Sequence, residues 1–307
     1  MAAIDTIKTD HLIGLEVGSS TIVREHARGG MAVIFVAYQR TLKRRIALKV
    51  LPKSLITPTA AELFHREAES AAVLYHPNII PVYDVGETDE FLYFSMQLVE
   101  GDSLLHVMKT ARKNILPSRR TLPVKTALET GIQVLDALDY AHSEGIVHRD
   151  IKPGNILMEK RSGRPIVLDF GVAKVLKEDT KSRRVIQGTP VYMAPEQIMA
   201  RNVDGRSDMY AFGVTLSQLV VPSLPFPKVG SAVELMREKV KRKEGIFTRP
   251  LSELNPQLDE RFDAMIQKTM AYDPEDRYAS CGELKEEMAA CLSQLQDRQG
   301  INRRGDE

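Results

Sequence analysis

Cysteine is scarce, neither sign of charge dominates and no apolar run is long. The two cysteines, Cys281 and Cys291, do not make a disulfide framework. Both fall in a stretch with helical patterning and read as reduced thiols. The 42 basic side chains balance 41 acidic ones, a net charge of +1. No global field therefore draws the protein to nucleic acid or to an anionic membrane. Met1 to Asp10 contains no apolar run of signal-peptide length. The most apolar helix candidate, Met209 to Val221, is too short and too polar to span a bilayer. Internal repeats of solenoid length are absent, and so is the phosphate-binding pattern G-x-x-x-x-G-K-[ST]. These absences point to a cytoplasmic globular protein, with a membrane anchor in a longer parent protein left open. A content of 43% hydrophobic and 27% charged residues suits one or two packed cores.

The patterning changes along the chain. Residues 1–20 are weakly patterned and read as an arm. From Thr21 to Met96 the signals are those of strands with one helix, and from Leu98 to about Leu295 they are mostly helical. Residues 296–307 form a polar tail. Strands first and helices afterwards predict an α+β protein of two lobes, 21–97 and 98–295, rather than an alternating α/β sheet.

The most informative stretch is His148-Arg149-Asp150-Ile151-Lys152-Pro153-Gly154-Asn155, followed by Asp169-Phe170-Gly171. Two short apolar runs, one starting after Asn155 and one ending at Leu168, flank the polar segment Lys160-Arg161-Ser162-Gly163-Arg164. That is a β-hairpin pattern. Folded about Ser162, it sets Asn155 opposite Asp169. An amide oxygen and a carboxylate at one end of a hairpin suit a hard cation such as Mg²⁺. Asp150 lies five residues before Asn155, in reach of a hydroxyl near that metal.

H-R-D-x-K-x-x-N followed by D-F-G resembles the catalytic and metal-binding loops of protein kinases. Other segments carry the same resemblance in family order. Ala27-Arg28-Gly29-Gly30-Met31-Ala32-Val33-Ile34 is similar to the glycine-rich loop over the ATP phosphates, with alanine at two glycine positions and Ile34 for valine. Ile46-Ala47-Leu48-Lys49 is similar to the V-A-I-K strand, whose lysine contacts the α and β phosphates. The helix expected after Thr57-Pro58 has an apolar stripe of Leu63/Phe64, Ala68, Ala71/Ala72 and Leu74, and Glu67 lies on it. An inward carboxylate requires a cation, and the resemblance pairs Glu67 with Lys49. Met96-Gln97-Leu98-Val99 falls where the family has its hinge, with Met96 as gatekeeper and the backbone of Gln97 and Val99 on the adenine. The ATP-binding set implied is thus Ala27, Arg28, Gly29, Gly30, Ile34, Ala47, Lys49, Glu67, Met96, Gln97 and Val99.

In the helical half, Val124 to Ser143 reads as a core helix stopped by Gly145. Val172 to Gln187 occupies the place of the activation loop. There Thr180 and Ser182 are implied autophosphorylation sites, and Arg149 is the implied holder of the phosphate. Gly188-Thr189-Pro190-Val191-Tyr192-Met193-Ala194-Pro195-Glu196 resembles the substrate-docking segment, with Thr189 within it. Asp208 resembles the brace of the catalytic loop, and Arg277 the partner of Glu196. Taken singly, these features have plainer readings: a Gly-Gly hairpin turn, a rim glutamate, a helix N-cap, a surface arginine.

With its Gly-Gly-Met-Ala, its Gly188 to Gln197 run and no tryptophan, the chain resembles the eukaryotic-type Ser/Thr protein kinases, above all the bacterial members. The resemblance implies Asp150 as catalytic base, Lys152 on the γ-phosphate, and Asn155 and Asp169 as ligands of Mg²⁺ (or Mn²⁺). It implies ATP as phosphoryl donor, Ser/Thr side chains of proteins as acceptors, and a homodimer as a possible vehicle for autophosphorylation. Two alternatives stay open. A pseudokinase scaffold is favoured by Ala27 and Ala32. A small-molecule kinase of the same fold generally lacks the docking segment present here.

Overall fold

The computed structural model describes residues 9–28, 32–55, 61, 65, 68–69, 71–116, 119–170 and 190–304. They fall into two compact units. The first holds residues up to Glu100 with Asp169 and Phe170; the second holds Gly101–Leu168 and residues from 190 onward.

The first unit is built on a six-stranded sheet: β1 (Glu16–Val17), β2 (Ser20–Arg28), β3 (Val33–Gln39), β4 (Arg44–Pro52), β5 (Val82–Glu87) and β6 (Phe91–Gln97). The spatial order is β1-β2-β3-β4-β6-β5 and every pairing is antiparallel. Successive side chains of a strand point to opposite faces. Ile46, Leu48 and Val50 accordingly join Phe35, Ala37 and Ile22 in one buried cluster. Leu12 and Val17 belong to the same cluster, so residues 9–20, read from the sequence as part of an arm, are packed on the sheet. Their contribution was hidden because only two apolar side chains in that stretch are buried. Positions 61, 65, 68, 69, 71 and 72 are helical. Ala68, Ala71 and Leu74 of the predicted stripe are buried, whereas Ala72 is exposed and Leu63 and Phe64 lie outside the described residues.

The second unit opens with β7 (Gly101–Ser103), α1 (Leu104–Arg112) and α2 (Val124–Ser143). The last matches the predicted helix at both ends. Gly145 follows it at φ +75, where a glycine carries no Cβ penalty, and its N–H caps the carbonyl of His142 at 3.0 Å. Then come β8 (Ile156–Glu159), β9 (Pro165–Val167), the one-turn α3 (Pro195–Ile198), α4 (Gly205–Val220), α5 (Ala232–Lys241), α6 (Glu260–Thr269) and α7 (Cys281–Arg304). Strands β7, β8 and β9 form a small antiparallel sheet. α4 is buried on nearly every side, the pattern of a central helix. α2 and α7 are joined by Lys285 to Asp136 at 2.6 Å and by the Gly282 N–H to Asp139 at 2.7 Å. Both cysteines are buried free thiols on α7, which runs past Leu295 into the expected tail.

The hairpin register differs from the expectation. Glu159 and Arg164 close the turn, with the Gly163 N–H also bonded to the Glu159 carbonyl. The loop between them is Lys160, Arg161, Ser162 and Gly163, an even number, so the fold axis lies between Arg161 and Ser162. Ile156 therefore pairs with Val167, and Leu168 rather than Asp169 stands opposite Asn155. A one-residue shift exchanges the faces of a strand.

Candidate active site

In the first unit the sheet register assembles one set of predicted residues. Ile34 lies opposite Lys49, which lies opposite Phe94; Val36 lies opposite Ala47, which lies opposite Met96. Residues directly opposite in antiparallel strands share a face. Ile34, Ala47, Lys49 and Met96 thus stand on one face, with Ala27 paired to Ile34 beyond a bulge. This is the face turned away from the buried cluster. Lys49 is 14% exposed along its side chain and its Nζ lies 2.6 Å from Asp169 Oδ1. The same ammonium is 5.5 Å from the centre of the Phe94 ring. Gln97 ends β6 opposite Ile46, and Val99 follows it outside the sheet, both half-buried. Arg28 is engaged within its own strand. Its Nε and Nη2 donate to the two oxygens of Glu25 at 2.9 and 2.7 Å. These bonds, with one from Thr9, hold the Glu25 carboxyl down at about 2. Gly29, Gly30 and Glu67 lie outside the described residues, so the proposed Lys49 to Glu67 pair does too.

In the second unit the loop 148–155 is built around a carboxylate delivered by α4. Asp204 caps that helix by accepting from the Arg206 N–H, which leaves Asp208 to a different task. Asp208 is 1% exposed. Its Oδ2 accepts from the His148 N–H at 2.8 Å and from His142 Nε2 at 2.9 Å; its Oδ1 accepts from the Arg149 N–H at 2.6 Å. Burial by itself pushes this carboxyl up, but the bonds from His142 and His148 more than reverse that and hold it below the ordinary range. The anchored peptide is a strained one. Arg149 sits at φ +68, a left-handed conformation that non-glycine residues enter rarely. Its carbonyl accepts from Gln197 Nε2 at 3.1 Å, so both sides of the residue are tied. His148 is fully buried. Its Nδ1 accepts from the Asp150 N–H at 3.2 Å, which makes Nε2 the protonated nitrogen, and Nε2 donates to the Leu168 carbonyl at 2.7 Å.

The result is a fixed pose for Asp150. Lys152 Nζ reaches its Oδ2 at 2.6 Å, and Asn155 Nδ2 donates to the same oxygen at 3.1 Å and to the Asp150 carbonyl at 2.8 Å. Because the Asn155 amide nitrogen is turned to Asp150, its oxygen is the atom presented elsewhere. Asp169 follows Leu168 at φ +62, a conformation aspartate tolerates better than most residues.

Residues 190–196, the described part of the segment expected to dock substrate, and their tie complete the second unit. Glu196 and Arg277 form a two-pronged ion pair, Nη1 to Oε1 and Nη2 to Oε2 each at 2.8 Å, with the arginine side chain fully enclosed. Ser207 adds a hydroxyl donor to Glu196 at 2.6 Å. Burial raises the Glu196 carboxyl, but Arg277 and Ser207 outweigh it and keep the group below its usual range. Thr180, Ser182 and Thr189 lie outside the described residues.

Three participants escaped the sequence reading. Gln197 bridges residues 194 and 149, since its Oε1 also accepts from the Ala194 N–H at 3.0 Å. Its signal was half of a capping box, with Pro195 at the first helical position and glutamine at the third. His142 lies on a core helix, and Ser207 sat beside the more conspicuous Asp208. Neither carries a periodic signal of its own.

Comparison with known proteins agrees with this geometry. Residues 22–288 match the family model described as the protein kinase domain. The chain is 35% identical over 291 residues to the serine/threonine-protein kinase Pkn1 of Myxococcus xanthus, covering 93% of this chain and 40% of that protein. It is 37% identical over 274 residues to a probable serine/threonine-protein kinase of Streptomyces coelicolor, covering 86% and 38% respectively. The chain thus spans about two fifths of the length of these curated relatives. The crystal structure of the Mycobacterium tuberculosis PknI kinase domain is similar with a TM-score of 0.69 at 29% identity, covering 91% of this chain and 98% of that one. The chain belongs to the protein kinase family, as a serine/threonine kinase domain of the eukaryotic type most like its bacterial members.

Proposed function

We propose that the protein transfers the γ-phosphate of ATP to serine and threonine hydroxyls of other proteins and of its own segment around Thr180 and Ser182. The family uses ATP with a divalent metal, and the residues here fit Mg²⁺. Asn155 presents an amide oxygen and Asp169 a carboxylate, the hard donors that suit an ion sharing its shell with phosphates. Bound there, the cation would neutralise charge on the phosphate oxygens. Lys49 would hold the α and β phosphates from the sheet face that carries Ile34, Ala47 and Met96. Asp150 orients the acceptor hydroxyl and accepts its proton, and Lys152 balances charge on the transferring group. Positioning and electrostatics, rather than covalent chemistry, supply most of the rate in such a site.

The observation that carries this reading is the pose of Asp150. Among the described residues its side-chain partners fall on Oδ2, which leaves Oδ1 for a hydroxyl, and the loop behind it is pinned to buried Asp208. The pseudokinase alternative has no comparable support, since the relatives are named as kinases. Among the described residues no helix is long and apolar enough to cross a membrane; action in the cytoplasm is part of the proposal.

The test is transfer of labelled γ-phosphate with Mg²⁺, alone and with casein as acceptor, for wild type and Asp150→Asn. Loss of at least about a hundredfold in the variant, with ATP affinity retained, is the expected outcome. Mapped label on Thr180 or Ser182 that vanishes in the variant would identify the autophosphorylation site. Full transfer by Asp150→Asn would refute the role given to that carboxylate.

A further inference from the structure

The second unit buries a lysine that the phosphoryl-transfer chemistry does not use. Lys239, on α5, is 1% exposed. Among the described residues it makes no salt bridge. Its ammonium instead donates to two main-chain carbonyls of the docking segment, Val191 at 2.5 Å and Met193 at 2.8 Å. The rings of Tyr210 and Phe226 lie 5.0 and 5.8 Å from Nζ. Burial pushes this amine down to about 7, only partly opposed by the charge of Glu196. An enclosed ammonium without a carboxylate beside it is unfavourable, and a methionine or leucine would fill the same space more cheaply. The lysine is therefore not explained by packing.

Its acceptors suggest what it does. Residues 190–194 belong to no helix or strand, so no ladder of backbone bonds dictates their path. Three side chains do so instead. Gln218 accepts from the Tyr192 hydroxyl at 2.7 Å, Gln197 accepts from the Ala194 N–H, and Lys239 holds the carbonyls on either side of Tyr192. Of the three, only Lys239 grips two peptides of the segment.

We propose that Lys239 is a positioning residue for protein substrates, fixing the Val191–Met193 backbone in the shape that receives the chain flanking the acceptor hydroxyl. This rests on the reading of the protein as a protein kinase with this segment as its docking strip. Lys239 touches neither ATP nor the acceptor; its effect passes through the segment.

The test compares wild type, Lys239→Met and Lys239→Arg in the full 307-residue chain. Methionine keeps the apolar contacts and removes both donors. The substitution also relieves the burial of an ammonium that has no carboxylate beside it among the described residues, which offsets the loss of its two bonds, so the variant is expected to fold. Arginine retains two donors. With a degenerate Ser/Thr peptide library as acceptor, KM for peptide should rise about tenfold in Lys239→Met. KM for ATP and ATP hydrolysis without acceptor should stay within about twofold, and Lys239→Arg should recover part of the loss. Equal rises in both KM values, or a melting temperature that falls in step with activity, would reduce Lys239 to a structural role and overturn the proposal.

Hydrogen exchange of the peptide covering residues 190–198 supplies a readout that needs no turnover. Faster exchange in a folded Lys239→Met is expected, and unchanged protection overturns the proposal whatever the kinetics show. A wild-type protein that transfers no phosphate, beside a variant with accelerated exchange, would sink the kinase reading while leaving Lys239 as the residue that shapes the segment.

Discussion

Replacing Arg277 by methionine asks how much the chain depends on one buried ion pair. The arginine side chain is fully enclosed and Glu196 is 5% exposed. Besides its two bonds to Glu196, Arg277 donates through Nε to the Ala271 carbonyl at 2.9 Å and through Nη1 to the Arg206 carbonyl at 2.7 Å. Removing it strands a buried carboxylate with one hydroxyl donor, Ser207, and frees three carbonyls, those of Ala271, Arg206 and, at 3.4 Å from Nη2, Tyr272. Breaking such a pair from one side costs about 3–5 kcal/mol, against a total stability of about 5–15 kcal/mol. With a urea m-value of ~2.5 kcal/mol/M, a loss of ~4 kcal/mol lowers the midpoint by about 1.6 M. Circular dichroism through a urea titration measures it. Glu196→Gln should show a loss of similar size, because it strands the guanidinium instead. The double variant should be less destabilised than the sum, with a coupling of ~1–3 kcal/mol. An exposed pair gives the internal control. Glu275, 80% exposed beside Arg206, should change to glutamine with no measurable shift of the midpoint. A loss below ~1 kcal/mol for Arg277→Met, or strict additivity of the pair, would refute the argument from burial.

Asp208→Asn should lower kcat by at least about tenfold with little change in KM for ATP, because an amide cannot accept from His142 and both loop N–H groups at once. Wild-type kcat in that variant would show that the loop holds its own shape. Acid should unfold the protein through Glu196 and Asp208. Both carboxyls are held below their ordinary values of 4.5 and 3.8. Their stabilisation is complete above that range and is lost as pH falls through it toward the folded-state values. Urea midpoints measured at falling pH should therefore drop below about pH 4.5, and Glu196→Gln should flatten part of that limb. A midpoint equally steep in the variant would mean other carboxylates carry the acid transition.

The parts of this protein legible in the sequence are those in which local chemistry and local position coincide. α2 was delimited by its apolar stripe and by Gly145, since both the buried face and the stop signal lie within the helix itself. The apolar run around Lys49 placed it on a strand, and the sheet register then set Ile34, Ala47 and Met96 on its face. Asp150, Lys152 and Asn155 could be proposed together because they lie within six positions of one another, so a single turn of chain brings them together.

What needed the tertiary structure was every decision made between distant segments. The hairpin register depended on which residues closed the turn, and a single-residue difference put Leu168 opposite Asn155. Whether Asp208 capped its own helix or braced a loop some 60 residues away was open until Asp204 was found in the cap. Gln197 and Lys239 gave little signal because their partners are main-chain atoms, which look the same in every residue. A sequence shows which side chains are available. Only folding shows which peptide groups lack a partner of their own, and it is those groups that recruit a buried glutamine or lysine.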